Sequence, residues 1–125
     1  MIVEMLTRDR FRALFPAGLP PVHDYEIATV IGWLKSRYPS QRPAKAQAGT
    51  LVLIVHLWSR REAFPPRVEV AEHLGVSREG VDNALKKALS RELIVKEVET
   101  RGDKALTFTY YIPSDELVAV VQGAN

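Results

Sequence analysis

One glycine limits what the run between Val68 and Glu99 can become. The stretch reads VEVAEHLGVSREGVDNALKKALSRELIVKEVE. Val70, Ala71 and Leu74 form one apolar face of a short helix, and Gly75 ends it because glycine tolerates the left-handed backbone needed just past a helix terminus. Ser77 is then placed to cap a second helix, expected from Arg78 to about Arg91. That helix buries Val81, Ala84, Leu85 and Ala88 and turns Arg78, Glu79, Asp82, Asn83, Lys86 and Lys87 outward. Two helices joined by a glycine-containing turn of this length make a helix-turn-helix.

After the second helix the period changes from helical to alternating. Leu93 to Glu99 reads as a strand, Thr100 to Lys104 as a turn, and Ala105 to Ile112 as a second strand with Leu106, Phe108, Tyr110 and Ile112 on one face. The hairpin tip carries Arg101 and Lys104. Pro113 stops the strand, and Ser114 caps a short C-terminal helix containing Leu117, Val118 and Val121.

Upstream, Thr7 precedes Phe11, Leu14 and Phe15 at helical spacing before Pro16 and Gly18 end the pattern. Asp24 is placed to cap a helix with Ile27, Ile31, Leu34 and Tyr38 along one stripe, closed by Pro39. Another helix begins between Pro43 and Thr50, with Leu51, Ile54, Val55 and Trp58 on one face and Leu53 and Leu57 widening it. This apolar segment is expected to be the central helix. The fold class expected is mainly α with a β-hairpin wing: a winged helix-turn-helix over residues 49–112, preceded by a helical extension (1–48) and followed by a short helix and tail (113–125).

Composition narrows the function classes. A chain of 125 residues fits one core, and without cysteine it has no disulfide, thiol nucleophile or Cys-based zinc site. His23, His56 and His73 are scattered, without metal-ligand spacing, and no glycine-rich phosphate loop or nucleophile elbow is present. His56, inside the apolar helix, is expected to be hydrogen-bonded in the core. No metal, cofactor or enzymatic activity is expected. The N-terminus lacks a basic region followed by an apolar one, and the run Leu51–Trp58 is far short of the ~20 residues of a membrane span. A cytoplasmic protein is expected.

The formal charge of +2 is small, but its distribution is uneven: positions 35 to 67 carry +6 and the remainder −4. The acid-free stretch from Lys35 to Lys45 reads as a basic loop between helices. Whether it lies beside the second helix of the helix-turn-helix decides whether the charge bears on polyanion binding.

The segment Glu69 to Ile94 resembles the winged helix-turn-helix of bacterial transcription regulators, especially the GntR type. The run Ala71-Glu72-His73-Leu74-Gly75-Val76-Ser77-Arg78 and the pair Leu93-Ile94 carry the resemblance. Pro66 stands where a Ser or Thr cap is frequent, Glu92 replaces a glycine, and roughly 48 residues precede the motif. In that last respect the layout is similar to small dimeric ArsR-like and MarR-like regulators. The resemblance implies duplex DNA as partner, homodimerisation, and the helix 78–91 in the major groove with the 100–104 turn as wing.

Arg78 and Asn83 are the candidate base readers, since Arg pairs with a guanine edge and Asn with an adenine edge through two bonds each. Gly80 is expected to let the backbone approach a phosphate and Ser77 to donate to one, while Lys86, Lys87, Arg101 and Lys104 are candidate backbone or minor-groove contacts. Arg42, Lys45 and Arg67 are further phosphate candidates. Glu79 and Asp82 belong to the same face, tolerated where a carboxylate accepts from cytosine or orients an arginine. Trp33, off the main stripe of its helix, is a candidate dimer contact with intramolecular packing as its alternative, and Leu117 and Val121 are the others. The alternative function is a winged-helix protein-interaction module, or a DNA-binding protein of replication or partition. The sequence identifies no small-molecule effector.

Overall fold

The apolar run that begins at Ala46 becomes a helix with no solvated face over most of its length. The structure is a computed structural model that describes residues 13–101 and 106–124. Its elements are α1 (Asp24–Arg37), α2 (Lys45–Ser59), α3 (Arg67–Leu74), α4 (Arg78–Ser90), β1 (Ile94–Arg101), β2 (Leu106–Pro113) and α5 (Asp115–Gly123). The layout is mainly α with a β-hairpin after the fourth helix, resembling a winged helix. Every residue of α2 from Ala46 to Val55 is buried, because α1, α3, α4, α5 and β2 all pack against it. The helix is central, as expected, and its burial extends past the expected apolar face to Gln47 and Thr50. Trp58 leaves the core, 40% exposed at the C-terminal end where the surrounding layer stops. One cluster of buried residues runs from Phe15 to Val121 and joins the three segments into a single core.

α1 is fastened to this axis by polar as well as apolar groups. Ile27, Val30 and Leu34 are buried, while Ile31 and Tyr38 are only half-buried, so the inward stripe is centred on Val30. Asp24 is the first residue of the helix and His23 its cap, whose N–H donates to Glu26 Oε1 at 3.0 Å. Glu26 is fully buried, and its other oxygen lies 2.7 Å from His56 Nε2 on α2. His56 is thus hydrogen-bonded at the α1–α2 seam. Farther on, His73 Nε2 lies 2.8 Å from the Pro20 carbonyl oxygen, tying α3 to the strand-like segment ahead of α1. Of the first helix expected around Phe11 and Leu14, the part before residue 13 lies outside the described residues.

Three helices end in the same backbone device. After α3, Val76 N–H donates to Ala71 O and Gly75 N–H to Glu72 O, with Gly75 at φ +68°. This paired return with a left-handed residue is the Schellman arrangement, for which glycine is suited. The same pair of bonds closes α2 through Arg61 (φ +57°) and α4 through Glu92 (φ +59°), both L-residues with a Cβ. Leu93, next after Glu92, is thereby turned into the core.

The hairpin register pairs Ile94 with Pro113 and Arg101 with Leu106. Alternation puts Ile94, Lys96 and Val98 with Thr109, Tyr111 and Pro113 on one face, and Val95, Glu97 and Glu99 with Phe108, Tyr110 and Ile112 on the other. The first face meets the core: Tyr111 is buried and stands edge-on to Phe64 at 5.0 Å. The set Phe108, Tyr110 and Ile112, alike in polarity, faces outward and is only half-buried. Phe64 N–H donates to Thr109 O at 2.7 Å, so the chain leaving α2 lines the outer edge of β2. Past the hairpin, Ser114 Oγ accepts from Leu117 N–H at 3.2 Å and caps α5.

α5 corrects the expectation that its apolar side is a dimer surface. Leu117 and Val121 are 0% and 1% exposed inside the chain's own core, because α5 folds back onto α1 and α2. Among the described residues no helix is long and apolar enough to cross a membrane.

Two outcomes test this packing. Glu92→Gly should raise stability by about 1 kcal/mol, the usual penalty for an L-residue in the left-handed region, read as a higher urea midpoint. Glu26→Ala should lower it by about 3 kcal/mol, since it removes a buried hydrogen-bonded carboxylate and leaves a void.

Candidate nucleic-acid interface

The helix-turn-helix is assembled as its local sequence dictates. Ser77 is extended, and its Oγ accepts the Gly80 N–H at 3.0 Å, fixing the first turn of α4. Val81, Ala84, Leu85 and Ala88 are buried against α2 and α3, and Arg78, Glu79, Asn83, Lys86 and Lys87 are exposed. These five side chains and Ser77 therefore share the solvent side of α4. Arg101 and Lys104 cannot be placed with them: Lys104 and the side chain of Arg101 lie outside the described residues.

Two residues of the expected interface, Asp82 and Gly80, have inward tasks. Asp82 is half-buried on the flank of α4 that faces α3, with Oδ1 3.1 Å from Arg67 Nε. The contact is an ion pair rather than an aligned hydrogen bond, since this oxygen is buried and has no hydrogen-bond partner. It links the start of α3 to the middle of α4 and neutralises a carboxylate that would repel phosphates. Arg67 keeps a part-exposed side chain but shares its charge with Asp82. Gly80 is the second case. A Cβ there would stand 3.0 Å from the Cβ of Ala46 and 3.2 Å from Ser77 Oγ. The glycine lets the first turn of α4 close onto the first turn of α2; it is a packing residue rather than an approach for phosphate.

That contact locates the basic loop. Lys45, adjacent to Ala46, brings its Nζ to 3.9 Å from where a Cβ on Gly75 would stand, above the helix-helix turn. At the other end of α4, the Arg91 guanidinium stacks 3.9 Å from the Tyr38 ring centroid and donates to Gln41 Oε1. Gly80, Ala84, Lys87 and Arg91 form one helical stripe, so the segment from Tyr38 to Lys45 runs along that flank of α4. Arg42 and Lys45 are both exposed on it. Arg91 received no role from the sequence; its only signal is its place on the stripe, four residues beyond Lys87 and three beyond Ala88.

Trp33 follows its intramolecular alternative. Its Nε1–H donates to Glu116 Oε1 at 3.3 Å, and Arg37, 5.7 Å from the ring centroid, bonds both oxygens of Glu116. The hydrogen bond from Arg37 Nε to Tyr38 Oη, with the Glu116 carboxylate beside it, holds the guanidinium above its ordinary pKa despite slight desolvation. The cluster joins α1 to the start of α5.

Among the described residues no group of three or more His, Asp or Glu side chains is arranged to hold a metal ion. Compared with protein-family models, curated proteins and solved structures, the chain shows no significant match. Its own geometry is what bears on its function.

Gly80→Ala should destabilise the fold by about 1–3 kcal/mol, as expected for overpacking, even though alanine is the better helix former. Ala46→Gly in the same chain should recover much of that loss, and a double-mutant cycle in urea measures the coupling.

Proposed function

We propose that this chain binds duplex DNA in a sequence-specific manner, as a transcriptional regulator acting as a homodimer. The observation that carries the reading is the alignment of the basic α1–α2 loop with α4. Arg42 and Lys45 from the loop and Arg78, Lys86 and Lys87 from the helix border one exposed surface. A helix offering polar readers beside a row of cations suits a major groove, where phosphates flank the base edges.

The roles follow from position. Arg78, at the helix start, and Asn83, one and a half turns on, read base edges. Lys45, Arg42 and Lys87 meet the backbone on one side, and Ser77 and Lys86 supplement them. Glu79 remains a carboxylate on this surface; it accepts from a cytosine amino group or aligns Asn83 or Arg78. The hairpin, with its tip as wing, lies beyond the end of α4. In a two-fold dimer the recognition helices enter half-sites about one helical turn apart.

Fluorescence anisotropy with a random duplex pool and with a selected site tests the reading. Affinity should fall steeply with salt, because each neutralised phosphate releases counterions. Lys87→Ala and Lys45→Ala should weaken all duplexes alike and reduce the salt slope by about one each. Arg78→Ala and Asn83→Ala should lose about 1–3 kcal/mol on the selected site and little on the pool. Flat salt dependence, or no binding at low salt, would overturn the reading in favour of a protein-docking module.

A further inference from the structure

We infer that the outer face of the hairpin and the end of α2 form the surface on which two copies of this chain meet. The inference rests on the homodimer proposed above and locates its interface. Trp58 and Val95 are 40% and 59% exposed, two of the large apolar side chains left open to solvent among the described residues. Trp58 and Tyr110 border an open cleft of about 710 Å³ between α2 and the hairpin, which Val98 touches from the opposite sheet face, and Val95 and Ile112 continue the outward face from Tyr110. An apolar surface of this kind on a water-soluble fold marks an interaction site.

Its charges point to a second copy as the occupant. A two-fold axis brings a patch onto itself, so an isologous interface must carry both partners of every pair it makes. The same cleft has Arg61 on its α2 side and two carboxylates, Glu97, cross-strand from Tyr110, and Glu99, on its β1 side, all three exposed. In a two-fold pair, Arg61 of each copy faces Glu97 of the other while Trp58 and Tyr110 close the apolar centre. Arg61 holds its guanidinium there from a left-handed backbone at φ +57°, a conformation that glycine would adopt at lower cost. The positions earlier expected at a dimer surface are engaged within the chain: Leu117 and Val121 in the core, and Trp33 against Glu116.

Sedimentation velocity without DNA, at tens of micromolar protein, tests the surface. The unaltered chain should sediment as a dimer, and Arg61→Glu and Glu97→Arg should each weaken self-association at least about tenfold by opposing like charges. Mixing the two variants in equal amounts should restore the dimer, since both cross-pairs are then of opposite sign. Trp58→Asp should be monomeric alone, and Trp33→Ala should remain dimeric. The proposal is overturned if the mixture stays monomeric, or if either charge reversal leaves the dimer intact. Should the unaltered chain dimerise while the mixture does not, the surface falls and the homodimer stands. A monomeric unaltered chain removes both, and the anisotropy titration still reports DNA binding by a single copy.

Discussion

Everything else in this fold is arranged around the need to cover α2. A helix buried on all sides from Ala46 to Val55 has no orientation of its own to offer solvent, so four helices and a strand must surround it. Fully burying each Leu, Ile or Val contributes about 1.5–3 kcal/mol, far more than a surface ion pair at about 0–1 kcal/mol. Leu51, Val52, Leu53 and Ile54 supply four such side chains in succession. The polar groups enclosed with them are correspondingly few, and Thr50 Oγ1 lies there without a hydrogen-bond partner among the described residues. At the first turn of α2 the small Ala46 admits the start of α4.

The two ends of α2 consequently serve different surroundings. Its first turn lies under the helix-turn-helix, next to Lys45 and the left-handed Gly75. Its last turn carries Trp58 to the edge of the hairpin, and the chain beyond it lines β2 through Phe64 and Thr109. The candidate reader and the candidate self-association surface are thus set at opposite ends of one rigid buried rod.

Much of this was legible in the sequence where a local rule had one outcome. Gly75 and Ser77 specify the turn and cap of the helix-turn-helix, and the change of period after Arg91 announces the hairpin. What escaped depended on long-range neighbours. Outward and flanking positions of α4 look alike in sequence, so Asp82 passed for a surface acid until Arg67 was brought beside it. Gly80 offered two explanations, and only the position of Ala46 chooses between them. In β2 both faces carry aromatic or apolar residues, and alternation cannot say which meets the core; the packing of Phe64 against Tyr111 does. Leu117 and Val121 read as apolar stripe in either a core or an interface. Glu26 was invisible because its partner, His56, is thirty residues away.

The clamp between Arg91, Tyr38 and Gln41 has a consequence for the entropy of recognition. Long basic loops ordinarily lose conformational freedom when they settle on a polyanion, and that loss subtracts from affinity. Here the connection between α1 and α2 is held at both ends, by the Arg91 stack at one and by entry into α2 at Lys45 at the other. For the DNA binding proposed above, the exposed side chains of Arg42 and Lys45 are the groups of this connection that a duplex would have to order. The segment is preorganised, so its cations act as part of the scaffold rather than as a tether.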